Sequence, residues 1–412
     1  MSARATLVTP PASPNKSNET SHSRLGSKQH SDGGWGLIPI QVRSARFSSF
    51  DVDDFEPVTG HELEWKHTPV AKIRPLLDGV LDGSIVPFLE DGADGMDGAT
   101  IEWIDRTDAR IGCAGKPEER ASANAWSSFE KALAITITSE DAVEVTVTRS
   151  ALGSTARAAH TVIVAEHHSR GTVVLQNSGP ALLSENVEIM VGDGAELTVV
   201  TVQEWDDDAI HLASHFAEIG RDARLKLVSI SLGGSVVRVN PSTHLSSVGG
   251  QVEIFGLYFA DTGQHLEQQV FVNHDAPNTK SRVSYKGALQ GAGAHTVWVG
   301  DVLIRPTASG TDSYEQNRNL LLTDGARADS IPNLEIETGD IAGAGHASAS
   351  GRFDDEQLFY LQARGIREDE ARRLVVRGFL SEIVQKIGSP ELESRLHDAI
   401  EAELVVSKLG SA

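Results

Sequence analysis

The chain changes its hydrophobic rhythm along its length. From Asp141 onward apolar and polar residues alternate, with Val143, Val145 and Val147 interleaved with Glu144, Thr146 and Thr148. That is the period of a strand with one buried face. Short runs of similar character follow at Thr161–Val164, Thr172–Leu175, Glu196–Val202, Leu225–Leu232, Val252–Phe259, Gln268–Val272, Arg282–Tyr285 and Thr296–Ile304. Turn signals such as Gly192-Asp193-Gly194, Gly233-Gly234, Gly249-Gly250 and Gly291-Ala292-Gly293 separate them, at intervals of about ten residues. No long helical pattern interrupts the series, which argues against a doubly wound α/β fold. A strand series of about 200 residues is long for one sandwich. Two architectures remain, a large sandwich or barrel and a parallel β-solenoid. No exact repeat is present, and solenoid coils do not need one, so the pattern tilts toward the solenoid.

After Asp354 the period becomes 3.6. Asp354 with Gln357 forms a capping box ahead of Leu358, Phe359 and Leu361, and Gly365 ends that first helix. A second helix is expected from about Glu368 to Ile387, with Ala371, Leu374, Val375, Gly378, Phe379 and Ile383 near one stripe. Ser389 as N-cap and Pro390 at the first helical position start a third. A unit of about 55 residues cannot bury its apolar face alone, so it packs on the β body, on a partner, or on both.

Ahead of the strands, residues 1–34 are rich in Ser, Thr, Asn, Pro and basic residues and read as a disordered tail, with an organellar transit peptide as the lesser alternative. Residues 35–140 read as a mixed, partly helical cap. Trp65, Ile73, Leu76, Leu77, Val80 and Leu81 form a short helical or irregular stretch, and Ala121–Ala134 is one helix with Trp126, Phe129 and Leu133 on a face. Asp-Gly pairs at Asp78-Gly79, Asp82-Gly83, Asp91-Gly92, Asp94-Gly95 and Asp97-Gly98 mark tight turns. Their spacing is not that of an EF-hand, which favours turns over calcium loops. The expected plan is therefore a tail (1–34), a mixed cap (35–140), a β core (141–350) and a C-terminal helical domain (351–412).

Composition narrows the function. The 412 residues carry 36 basic and 58 acidic side chains, a net charge of −22. Such a chain repels phosphate backbones and anionic bilayers, so neither nucleic acid nor membrane is an expected partner. No apolar run reaches the ~18 residues a spanning helix needs, and the N-terminus has no secretory h-region. Cys113 is the one cysteine, which precludes an internal disulfide and a Cys-rich metal site, and fits a reducing compartment such as the cytoplasm.

Candidate chemistry is sparse. His346 lies in the Gly-rich stretch Gly343-Ala344-Gly345-His346-Ala347-Ser348, read as a loop. Its small neighbours allow another backbone to approach, and imidazole ligates iron or zinc or moves a proton. The plainer reading is a surface histidine. His211 and His215, four apart after Trp205-Asp206-Asp207-Asp208, resemble metal-ligand spacing but lack the Glu of HExxH. Ordinary histidines beside a solvated acidic turn are the favoured reading. His265, His274 and His295 fall on or beside later strands, where stacked coils can bring some together. There is no GxSxG and no GxxxxGK[ST], so neither a nucleophile elbow nor a Walker-type ATP site is expected. A polysaccharide-active β-helix enzyme using Asp206–Asp208, or an adaptor solenoid with no iron role, stand as alternatives.

Several blocks carry a resemblance. They are Val191–Ala195, Val202–Ala209, Gly256–Ala260, Tyr285–Leu289, Asn317–Leu320, Asp324–Ala326 through Pro332–Ile336, and above all Asp354–Leu361 with Arg364-Gly365-Ile366. A weaker match reaches back to Phe50 and Trp65–Pro69. Together they resemble the SufD branch of the SufB/SufD family of the SUF iron–sulfur cluster assembly system. The lack of a cysteine in the C-terminal half points to the SufD branch. The resemblance implies a right-handed parallel β-helix with N- and C-terminal helical parts, a non-catalytic role, a heterodimer with SufB, and C-terminal helices that dock the ABC-type ATPase SufC. It places His346 at the SufB–SufD interface as a ligand shared with SufB for a transient, nascent iron–sulfur cluster. No cofactor is expected to be tightly bound by this chain alone. By the same resemblance Leu358, Phe359, Tyr360, Leu361, Arg364, Gly365, Ile366, Leu374 and Phe379 fall in the ATPase-docking region. Many relatives have a Lys-Cys-Ser-type lead-in to the histidine, where this chain has Ala342-Gly343-Ala344-Gly345. Clusters are held mainly by thiolates, so with Cys113 alone this chain can offer at most an extra nitrogen ligand to another chain's thiolates.

Overall fold

The computed structural model describes residues 47–91, 98–150, 152–352 and 355–406. The N-terminal tail, the turns around Asp94 and the capping residue Asp354 lie outside them. Two nine-stranded sheets make the body. Sheet I runs from Leu89–Asp91 and Val143–Ser150 to Ile341–Arg352; sheet II runs from Ala99–Asp105 and Lys131–Ile137 to Arg327–Ile336. From Val143 on, the chain alternates between the sheets, and each strand pairs in parallel with the strand of the next coil. This is a parallel β-solenoid of about eight turns. Neighbouring coils are offset by 28 residues at Arg149–Asn177, 29 at Arg238–Glu267 and 32 at Asp301–Asn333. The drifting offset hides the repeat from the sequence.

Alternate residues of each strand fill the space between the sheets, where Val145, Val173, Leu197, Leu227, Ile254 and Val283 form one continuous core. The first two pairings, Leu89–Asp91 with Val143–Ser150 and Ala99–Asp105 with Lys131–Ile137, are antiparallel. Leu89–Asp91 and Ala99–Asp105 are the N-terminal edge strands of the two sheets.

Helices cover the outer faces. On sheet II, α1 (Val70–Asp78) and α2 (Arg120–Ser128) bury Ile73, Leu76, Ala125 and Trp126 against Val162, Leu212 and Phe216. Beside them the Arg238 guanidinium bonds Glu267 at 3.1 Å and Glu119, and stacks on Trp65. The carboxylates offset the cost of burying its charge. On sheet I, the C-terminal helices follow a short α3 (Asp355–Gln362). α4 (Glu368–Val384) and α5 (Pro390–Val406) pack Val376, Leu380, Ile383, Leu396 and Ile400 on Val200, Val228, Ile230, Phe255 and Leu257. Among the described residues no helix is long and apolar enough to cross a membrane.

Three local expectations fail. Ala121–Ala134 is not one helix: α2 ends at Ser128, Phe129 turns extended, and Lys131–Ile137 is a strand buried on both faces. Full burial erased the alternation that would have marked it. Val80 is 98% exposed rather than part of the cap core. The buried stripe of α4 runs through Ala371, Val376, Leu380 and Ile383, while Leu374 and Gly378 face solvent.

Candidate functional site

At the C-terminal end the solenoid is open. Arg327–Ile336 and Ile341–Arg352 are the last strands of their sheets, so each has one unpaired edge. Most of their residues are half-buried or exposed. Edge strands are usually blunted by charge or by a covering element. Ile341–Arg352 is a run of Gly, Ala and Ser with no Asp, Glu or Lys, and its first basic residue beyond His346 is Arg352.

His346 lies in this last strand rather than in the loop expected from its glycines; pairing with Thr311–Leu321 supplies the order. Thr311 faces Ile341, but Asp312 faces Gly343, so Ala342 is an extra residue in the ladder. A one-residue slip exchanges the two faces of a strand. With the bulge, His346 sits opposite Glu315 in the inward row; without it His346 would face outward beside Gln316. The imidazole is 45% exposed at the mouth, with Nδ1 3.8 Å from Glu315 Oε1.

Glu315 belongs to an inward polar row, Thr311, Ser313, Glu315, Asn317 and Asn319, all buried. Its neighbours are well paired: Ser313 with Ser281 at 2.7 Å, Asn317 with the Tyr258 hydroxyl at 2.7 Å, and that hydroxyl with Asn319 at 2.9 Å. Glu315 is not. No side-chain donor reaches either oxygen. Burial, then the charge of Asp301, push its carboxyl up to about 8, with the Asn333 backbone amide only partly offsetting them. The carboxylate rests over Gly300, where any Cβ would collide with Glu315 and Trp298. Sequence reading missed Glu315. The available signal was its place in an alternating polar row, Thr-x-Ser-x-Glu-x-Asn-x-Asn.

The residues assigned to ATPase docking divide into two groups. Leu358 is buried with Ala371, and Leu361 and Ile366 pack beside them, so these join α3 to α4. Phe379 packs on the solenoid with Lys286 over its ring, and Lys286 Nζ donates to the Phe379 carbonyl at 2.9 Å. Gly365 has φ 86°, which suits the turn after α3. Phe359, Tyr360 and Leu374 remain exposed at 72%, 55% and 45%, with Arg364 stacked on Tyr360.

The other candidates are structural. His211 is buried, with Nε2 2.8 Å from Glu185 and Nδ1 accepting from Trp205 Nε1, so both ring nitrogens are occupied within the core. Burial lowers His215 to about 4, which keeps it neutral at pH 7. His265 and His295 do meet, Nδ1 to Nδ1 at 3.1 Å, each backed by a carboxylate, Glu267 and Asp329. His274 instead bonds Thr279 and Ser281. Asp206–Asp208 are exposed on a coil corner. Cys113 is exposed in the loop between Asp105 and α2 and bonds the Ala109 carbonyl. Among the described residues no group of three or more His, Cys, Asp or Glu side chains is arranged to hold a metal ion.

Fold and mouth together define an open-ended parallel β-solenoid whose nitrogen and oxygen donors are too few to enclose a metal. Comparison with known proteins gives this class a family. Residues 146–379 match the model described as the SUF system FeS cluster assembly, SufBD core domain. An iron–sulfur cluster assembly SufBD family protein of Mycobacterium tuberculosis (strain ATCC 25618 / H37Rv) is 48% identical over 374 residues, 88% of this chain and 93% of that protein. A SufBD family protein of Mycobacterium leprae (strain TN) is 47% identical over 373 residues, 88% of this chain and 94% of that protein. A second M. leprae SufBD family protein is 29% identical over 232 residues, 55% of this chain and 26% of that protein. The chain belongs to the SufBD family of iron–sulfur cluster assembly proteins.

Proposed function

We propose that this chain is the SufD-type, non-catalytic subunit of a cytoplasmic assembly complex. Its open end pairs with a SufB-like solenoid, and a nascent iron–sulfur cluster, the complex's product, forms between them. The observation that carries this reading is the Ala342 bulge, which turns a half-exposed imidazole into the mouth of an unprotected edge. An uncharged edge of this kind suits strand addition by another chain. The occurrence of two SufBD family proteins in M. leprae, one matching this chain along its length and one only in part, is in keeping with a pair of unlike subunits.

ATP hydrolysis falls to a SufC-like ABC ATPase, since GxxxxGK[ST] is absent from the sequence. Its docking surface is the exposed Phe359, Tyr360 and Leu374 patch on α3 and α4. His346 supplies one nitrogen to iron whose thiolates belong to the SufB-like chain, as histidine replaces thiolate in Rieske centres. A His346→Ala chain co-expressed with its partners is expected to purify as an intact complex and to fail in a strain that depends on it for cluster assembly. Normal complementation would overturn the reading.

A further inference from the structure

We propose that Glu315 is the second donor of this site: its carboxylate and the His346 imidazole together take up one ferrous ion, as substrate, on this chain's side of the interface. The inference rests on the function proposed above and adds to it a residue and an order of events.

Three independent observations converge on Glu315. It is fully buried, yet no side-chain donor touches either oxygen, whereas Ser313 and Asn317 on either side of it in the row are hydrogen-bonded. A buried acid without a counter-charge is costly, and solenoid interiors are easily filled with apolar side chains, so its place in the row calls for a ligand. Second, the His346 imidazole at the mouth approaches it, with Nδ1 3.8 Å from Oε1. A first-row divalent ion bound at about 2.1 Å to each donor accommodates two donors up to about 4 Å apart. Third, two backbone features fix the pair. Gly300 leaves the space that the carboxylate occupies, and the Ala342 bulge sets His346 opposite it.

The donor set also indicates which substrate arrives first. One imidazole nitrogen and one carboxylate oxygen suit a divalent iron ion with water in its remaining positions; sulfide is itself an anion that needs iron to bind it, and preformed clusters are held by thiolates. Iron therefore reaches this half-site before sulfur, and the SufB-like chain's thiolates later displace the waters. The step is a ligand exchange: iron stays divalent, the carboxyl releases its proton to water, and no oxidant or reductant takes part.

The test uses the complex purified with its SufB-like and ATPase partners, titrated anaerobically with Fe²⁺ alone and followed by calorimetry, with Co²⁺ d–d absorption as a second readout. Glu315→Gln keeps the shape and removes the charge. It is expected to leave the complex and its melting temperature intact and to weaken Fe²⁺ binding by about tenfold or more. His346→Ala is expected to do the same. If Glu315→Gln binds as wild type while His346→Ala is weakened, Glu315 is not a donor and the proposed function stands. If neither variant changes binding, the iron role of the mouth falls as well. A Glu315→Gln complex that melts lower with Fe²⁺ affinity unchanged would make Glu315 a structural residue and overturn the inference.

Discussion

Leu380→Ala separates what the C-terminal helices do for this chain from what they offer a partner. Leu380 is wholly buried where α4 meets sheet I, among Val228, Phe255, Leu257 and Leu396. Truncating a buried leucine costs about 2–5 kcal/mol, and more of that range applies where the walls cannot collapse. Sheet I is a rigid wall, which places Leu380 toward the upper half. The helices form an outer layer, so the loss is expected as local opening before the solenoid unfolds. Even 2 kcal/mol raises the open fraction roughly thirtyfold. Hydrogen exchange read by mass spectrometry on the full chain is the assay. α4, α5 and the covered part of sheet I should lose protection, and the strands of sheet II should not. Phe359→Ala, at a side chain 72% exposed, should stay within about 0.5 kcal/mol of wild type. Unchanged exchange in Leu380→Ala, or equal effects of the two variants, would refute the docking of the helices on sheet I. The same packing makes truncation at Glu368 a poor probe of partner binding, because it bares Val200, Ile230 and Phe255.

Two further outcomes follow from the same contacts. Phe359→Ala combined with Tyr360→Ala should abolish co-purification of the ABC ATPase at unchanged melting temperature; retention of the ATPase would remove the patch from the interface. Two sets of buried groups should also lose their stabilising contribution on acidification. Burial lowers His215 to about 4 and His274 to about 3 from 6.5, so their contribution is full above 6.5 and is lost as pH drops below it. Burial raises Glu185 and Glu267, but the charges of Arg149 and Arg238 together with hydrogen bonds from His211 and His265 outweigh it and hold both carboxyls far below 4.5. Their contribution is full above 4.5 and is lost as pH falls further. Glu315, raised to about 8 by burial and the charge of Asp301, acts in the opposite sense above pH 4.5, so the comparison belongs below it: urea midpoints at about pH 4.5, 3.8 and 3 should decline in that order; a flat series would contradict the assignment.

The sequence conveyed the strands better than their stacking. Val143–Ser150, whose outward Glu144, Thr146 and Thr148 stay partly exposed, alternates openly, whereas Leu182–Val191 is buried nearly throughout because α2 covers its outer side. Coil offsets that vary between 26 and 32 residues erase any fixed period, so the solenoid came from the family resemblance more than from periodicity. His346 was legible as a residue but not as a strand residue. Gly and Ala have low strand propensity, and only the neighbouring coil holds them extended. Glu315 escaped notice because the burial that raises its pKa, the Asp301 carboxylate that adds to it and the imidazole beside it all come from other strands. The α4 stripe was misplaced because Leu374 seemed core-like, while Leu380 and Val376 take the sheet-facing positions.

The central claim is that a product cluster forms where this chain's open end meets a second solenoid. Its most direct test is anaerobic reconstitution of the purified three-component complex with Fe²⁺, a sulfide source and ATP, followed by visible absorption and Mössbauer spectroscopy, comparing wild type with His346→Ala at equal, verified subunit stoichiometry. The account predicts iron–sulfur signals in the wild-type complex and their loss in the variant. A variant complex that accumulates the cluster at wild-type yield would contradict it.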